Sequence, residues 1–356
     1  MRKQDNTNRA FGFLHPDWLW PIAVVVSILL ASGCYLLALK VVKTYRNTLF
    51  YVRTLESSEE IFEKAKQAPI RDITLDTRSR IFVEKYPVYI SLTTSPKRIE
   101  YVERILRVLD LTHVKEVIIS IPKVFPRTGE RYTIPQGLKA WDKIKIHTVA
   151  KDYGPATKLI PGVEYARKQH EDALVIALDD DHVYPRGIVN EHIYAISRGA
   201  KVSNVQDDRI GDLGHGYFKL PNKNPNLLDQ WPDKNYHLIQ GWSSTGYVAS
   251  SVPTELIKSW LEAEEETPSG NSCLFSDDFT VSYALALKGV GLTKIVNRYA
   301  SVDTILPLAY GLAPGALHRE PIARTDNWDV NQMNIFTKKR IGSCFVFLLE
   351  HAQKSR

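Results

Sequence analysis

The sequence predicts an α/β domain, with a mostly parallel twisted sheet covered by helices, carried behind a single membrane anchor. Three observations support that expectation. Short β-branched apolar runs alternate with amphipathic stretches between residues 87 and 178, the order that builds βαβ units. A charge-free run from Trp18 to Leu39 precedes them. The last apolar run of the first half, "ALVIAL" at 173–178, ends in Asp179, Asp180 and Asp181. Three adjacent carboxylates at the end of a buried strand repel one another unless something positive sits between them.

The 356 residues are 44% hydrophobic and 24% charged, the balance of an ordinary globular protein rather than a disordered one. The formal net charge of +6 comes from interspersed charges of both signs. No Lys/Arg block marks a nucleic-acid stripe, so nucleic acid is not an expected partner.

The elements follow in order. Residues 1–17 read as a short polar tail and 18–40 as the transmembrane anchor. At about 1.5 Å per residue the charge-free run reaches across a hydrocarbon core of roughly 30 Å. Trp18 and Trp20 sit at one end as interfacial anchors, and Lys40, Lys43 and Arg46 close the other. A cleaved signal peptide has a shorter apolar core than this. Basic residues flank both ends, so charge alone does not orient the anchor. Residues 41–85 read as a charged stem whose last part could pack on the domain, and the folded domain is placed at 86–356.

Within that domain, residues 87–94 ("PVYISLTT") predict a first strand and 98–111 an amphipathic helix. Residues 115–122 and 143–149 predict two further strands. A helix is expected over 154–169, with Pro155 suited to its first turn and Pro161 breaking or kinking it. The fourth strand is 173–178. Residues 207–237 are rich in Gly, Pro, Asn and aromatics and read as long loops, the usual place for binding surface. An apolar helix follows Ser276, Asp277 and Asp278, with Gly289 as its stop. Cys273 and Cys344 suit either one disulfide in an oxidising compartment or two buried thiols. Cys34 lies in the anchor run, and no N-x-[ST] sequon is present.

The chemistry concentrates at the aspartates. Alternate strand residues point the same way, so Asp179 and Asp181 could aim together at one hard cation with Asp180 turned aside. Oxygen ligands suit Mn²⁺ or Mg²⁺, which also holds a diphosphate. The competing reading is a solvated acidic turn. Ser91, Thr93 and Thr94 end the first strand, where they could bond a nucleotide or cap a turn. Arg98 and Lys158 could pair with a diphosphate or be ordinary helix charges. Gly241 and Gly246 flank "WSST" and could let backbone approach a sugar, against which Trp242 could stack. Asp277 and Asp278 could bind an acceptor hydroxyl or simply favour a helix N-terminus capped by Ser276.

An apolar strand ending in Asp-x-Asp, with these segments in this order, resembles the GT-A fold glycosyltransferases. The pattern is nearest to the exostosin-like hexosaminyltransferases or family-2-like transferases, although 152–158 depart from the exostosin pattern. The resemblance spans about residues 86–345. It implies a membrane-anchored enzyme moving a sugar from a nucleotide-sugar donor, UDP-sugar favoured, to a glycan, protein or lipid acceptor, with a luminal, Golgi- or ER-type placement. It implies that Asp179, Asp181 and His318 hold the cation. Thr93, Thr94, Arg98, Tyr153, Lys158, Asp179, Asp180 and Gly246 would line the donor, and Asp277 and Asp278 would serve the acceptor. It also suits a Cys273–Cys344 pairing. The alternatives from the residues alone are a metal-dependent phosphodiesterase or nuclease, and a non-catalytic glycan-binding protein on a transferase scaffold.

Overall fold

The computed structural model describes residues 58–67, 75–205, 207–209, 237–265, 272–274, 276–295, 306–307 and 341–351. The anchor at 18–40, the polar tail, the first part of the stem and His318 lie outside these residues. Among the described residues, no helix is long and apolar enough to cross a membrane.

The chain is α/β. Helices α1 (Ser58–Gln67) and α2 (Thr77–Lys85) lead into β1 (Val88–Leu92). Then come α3 (Ile99–Val108), β2 (Val114–Pro122), the short α4 (Gln136–Lys139) and β3 (Ile144–Val149). A 3₁₀ turn, Gly154–Lys158, and α5 (Ile160–Gln169) precede β4 (Leu174–Ala177). The second half holds β5 (His182–Val183), α6 (Ile188–Ser197), β6 (Val202–Asn204), β7 (Asp207–Arg209), β8 (His237–Ile239) and β9 (Thr245–Val248). It continues through α7 (Thr254–Glu265), α8 (Asp277–Leu287), β10 (Leu292–Lys294) and β11 (Leu306–Pro307), and residues 341–351 are helical.

Seven strands form the main sheet in the order β10-β6-β9-β4-β1-β2-β3. All neighbours are parallel except β9, which runs antiparallel to both β4 and β6. The strands read as unbroken apolar runs because both faces of the sheet are buried. Val88, Ile90 and Leu92 of β1 and Leu174 and Ile176 of β4 face one core. Tyr89, Val175 and Ala177 face the other, beneath α5, α7 and α8. Each fully buried side chain of this size contributes roughly 1.5–3 kcal/mol.

Two expectations become more exact. The single helix over 154–169 is a 3₁₀ turn followed by α5, with Pro161 in the first turn of α5 rather than inside a helix. A proline there gives up no hydrogen bond, so the boundary falls just before it. The last part of the stem also belongs to the fold, since Ile61, Phe62 and Leu75 are buried in the first of these cores.

This topology fixes where ligands can gather. From β1 the chain steps outward to β2 and β3, then returns to β4 on the other side of β1. The carboxyl ends of β1 and β4 therefore flank a switch point, the crevice where open α/β sheets bind ligands. Because β9 is antiparallel to β4, with Thr245 opposite Ala177, residues 240–244 are delivered to the same crevice.

Candidate functional site

The question raised by the three aspartates has a direct answer in the side chains around them. Asp180 turns inward: it is only 5% exposed and pairs with Arg98 Nε at 3.1 Å. Arg98 also reaches Asp181 through Nη1 at 3.3 Å. Asp181 takes a second contact from His182 Nδ1 at 2.7 Å. Asp179 pairs with the buried Lys158 ammonium at 2.7 Å. Cations from β5, α3 and the 3₁₀ turn thus enclose the triplet. The triplet lies in the turn after β4 ends at Ala177, so strand alternation does not set its division. Asp180 is the buried member, Arg98 is shared by Asp180 and Asp181, and Asp179 pairs with Lys158.

Each carboxylate responds to its surroundings. Burial pushes Asp180 up to about 6 against the pull of Arg98 and a hydrogen bond from Thr94. Burial would raise Asp181 as well, but His182, Arg98 and Lys158 overcome it and hold the group well below the usual carboxylate range. Burial opposes the charge on His182, yet Asp181 and its neighbours raise its pKa above the ordinary value.

Lys158 ties this triplet to a second acidic group. Its ammonium also lies 3.3 Å from Asp277 Oδ2, at the start of α8. Burial disfavours that charge, but Asp179, Asp277 and Asp278 together raise the lysine well above its usual range. Asp278 is pushed up to about 8, first by burial and then by the charge of Asp277. It accepts a hydrogen bond from the Gly241 N–H. Gly241 has no room for a side chain: a Cβ there would stand 2.3 Å from Asp278 Oδ1 and 2.8 Å from Lys158 Nζ. Only glycine lets the backbone come this close.

Second contacts lock these groups in place. Tyr184, 1% exposed, accepts from the Asp179 N–H at 2.8 Å and donates to the Trp242 carbonyl at 3.1 Å. Trp242 is half-buried, its ring 5.4 Å from that of His182 at 35°. Beneath residues 240–245, Asn204 donates to the carbonyls of Gln240 and Ser244, and His192 bridges the Ser203 and Ser244 hydroxyls. Burial drives His192 down to about 3, which keeps it neutral.

Asp179, Asp181 and His182 each offer one ligand atom, and these atoms all lie within 4.8 Å of one another. Two carboxylate oxygens and an imidazole fit a divalent cation of the Mn²⁺ or Mg²⁺ kind. A cation there would take over charge now balanced by Lys158, Arg98 and the His182 proton.

Of the residues singled out from the sequence, Thr94, Arg98, Lys158, Asp179, Asp180, Asp181, Asp277 and Asp278 come together at the crevice. Three stand apart. The Thr93 hydroxyl donates to the Ser120 carbonyl of β2 at 2.7 Å. The Tyr153 hydroxyl turns to Glu262 on α7 at 3.1 Å. Gly246 lies inside β9, where a Cβ would meet His192 Nδ1 and Ser203 Oγ at 2.8 Å; its missing side chain makes room for protein. Ser91 likewise uses its hydroxyl internally, on the Lys158 carbonyl. Ser276 begins α8 without a capping bond from its side chain, because its φ of −130° and ψ of 48° lie off the usual capping geometry. Sequence reasoning missed His182, although its place directly after Asp181 was a usable signal, and it missed Tyr184.

Cys273 and Cys344 form a disulfide, both fully buried. No protein-family model matches the chain, and no curated protein matches it significantly.

Proposed function

We propose that this chain is a membrane-anchored, cation-dependent glycosyltransferase of GT-A type, acting on a nucleotide-sugar donor. One observation carries the reading. Lys158 joins an Asp-x-Asp cluster at the switch-point crevice to a second acid pair, Asp277 and Asp278, so that one cleft holds both a cation end and a proton-accepting end. The buried disulfide supports a luminal placement, since such bonds persist in oxidising compartments.

Asp179, Asp181 and His182 would hold Mn²⁺ or Mg²⁺, with His318 remaining the ligand implied by the family resemblance. The cation would neutralise charge on the departing nucleoside diphosphate. Arg98 fixes Asp181 and adds positive charge facing the same space. Asp278 is the better general base of the acid pair. Asp277 is engaged by Lys158, whereas Asp278 is tuned to about 8, close to working pH. It would take the proton of the acceptor hydroxyl, while Gly241 holds the carboxylate by its N–H. Trp242, half-buried beside His182, offers an apolar face to a sugar ring.

The test uses the full-length chain in mild detergent with Mn²⁺ and a panel of UDP- and GDP-sugars. The expected result is release of nucleoside diphosphate from at least one donor, abolished by EDTA and reduced at least a hundred-fold in Asp181→Asn. Absence of release from every donor overturns the reading.

A further inference from the structure

Next to the helix that carries Asp277 and Asp278, a buried carboxylate grips a loop. Glu264, in the last turn of α7, is fully buried. Its two oxygens accept from the Cys273 N–H at 2.9 and 2.7 Å, from the Leu274 N–H at 3.3 Å, and from the Ser272 hydroxyl. A carboxylate is costly to bury, and hydrogen bonds to its charged form offset that cost. These bonds converge on three successive residues.

That loop touches both halves of the acid–lysine end of the cleft. The Leu274 carbonyl lies against Gly154, where a Cβ would stand only 3.0 Å away and φ is +59°. Gly154 opens the 3₁₀ turn that ends at Lys158. On the other side, the Cys273 carbonyl accepts from the Ser276 N–H at 3.0 Å and the Thr280 hydroxyl at 3.3 Å, at the first turn of α8. The disulfide to Cys344 ties the loop a second time, and Trp260 of α7 packs on Tyr283 of α8 with ring centroids 5.8 Å apart. Lys158 and the aspartate pair therefore share one mount.

We propose that Glu264 is a positioning residue: by gripping residues 272–274 it sets the placement of Lys158 against Asp277 and Asp278, and thereby tunes the proton acceptor without holding the cation. This rests on the glycosyltransferase reading of the same cleft. An isosteric Glu264→Gln keeps an acceptor oxygen but turns an amide NH₂ toward N–H donors, so the loop must shift.

The experiment compares full-length wild type and Glu264→Gln, with the fold checked by circular dichroism. It measures Mn²⁺-dependent nucleoside diphosphate release from the UDP- and GDP-sugar panel between pH 5 and 9, and Mn²⁺ binding alone by electron paramagnetic resonance. The proposal expects kcat to fall at least ten-fold and the acid limb of the pH profile to move. The donor KM and Mn²⁺ affinity should stay within two-fold. An unchanged kcat and pH limb, or a parallel loss of Mn²⁺ affinity, overturns it. Should Glu264→Gln fail to fold, Ser272→Ala decides, since it removes one donor and leaves the carboxylate. A two- to five-fold fall in kcat at unchanged Mn²⁺ affinity supports the proposal, and no change overturns it. Wild type that releases no nucleoside diphosphate from any donor of the UDP- and GDP-sugar panel sinks the transferase reading itself. Release that Glu264→Gln leaves intact sinks only the positioning role.

Discussion

On the proposed transferase reading, Asp277→Asn shifts activity to lower pH. Asp277 disfavours the charge on Asp278 in two ways, by its own negative charge and by engaging the Lys158 ammonium at 3.3 Å. Replacing it with asparagine removes the repulsion and one competing charge on Lys158, which stays paired with Asp179 and still favours the Asp278 carboxylate. Two unit charges in close proximity at an effective dielectric of about 20 interact by up to about 4 kcal/mol, or about 3 pH units. Both aspartates are half-buried, so solvent screening reduces this to about one to two units. The base must be deprotonated to act, so activity rises with pH through its pKa. The acid limb of wild-type kcat should lie well above the ordinary carboxylate range, and that of Asp277→Asn about one to two pH units lower. The assay is Mn²⁺-dependent nucleoside diphosphate release from pH 5 to 9, each profile scaled to its own plateau. An acid limb that stays in place, or moves to higher pH, refutes Asp278 as the base tuned by its neighbour.

Three further outcomes follow from the same contacts. Gly241→Ala puts a methyl group 2.3 Å from Asp278 Oδ1, so activity should fall at least ten-fold while unfolding free energy drops by about 1–3 kcal/mol, checked by parallel kinetics and urea titration. Arg98→Met strands the buried Asp180 and should cost about 3–5 kcal/mol near neutral pH. Because the folded pKa of Asp180 is raised to about 6 from 3.8, its contribution to stability is full below 3.8 and lost as pH rises through 6. The loss caused by Arg98→Met should therefore grow from pH 5 to pH 8 in denaturant melts. Cys273→Ser with Cys344→Ser releases a link spanning a sequence separation of 71 and should cost about 4 kcal/mol on the chain-entropy account, read as a fall in thermal midpoint that reducing agent reproduces in wild type.

What the sequence disclosed, and what it hid, divides along physical lines. The strands were legible because a sheet buried on both faces forces unbroken apolar runs such as 173–178. The Asp179–Asp181 cluster was legible because acids at the end of such a run have few structural reasons to be there. Asp180 is buried apart from its neighbours, but strand alternation does not explain this, because β4 ends at Ala177 and the triplet lies in the turn after it. The sequence does not indicate that Lys158 faces two acid clusters at once, because that depends on the placement of α8 against the 3₁₀ turn. Gly246 misled because a glycine in a strand can serve a ligand or a neighbour, and here the neighbour is His192. Pro161 was legible as a break, and the 3₁₀ turn does give way to α5 just before it. Glu264 gave no signal at all: a glutamate in a charged run, "LEAEEE", reads as solvated until the loop 272–274 is seen to close over it.

On the proposed reading, a cation at Asp179 and Asp181 binds a nucleoside diphosphate in this cleft. Isothermal calorimetry of UDP and GDP against the full-length chain, with Mn²⁺ and with EDTA, tests it most directly. The expected result is binding of one diphosphate with Mn²⁺, weakened at least ten-fold by EDTA or by Asp181→Asn. Equal binding with and without Mn²⁺, or no binding of either diphosphate, contradicts the account.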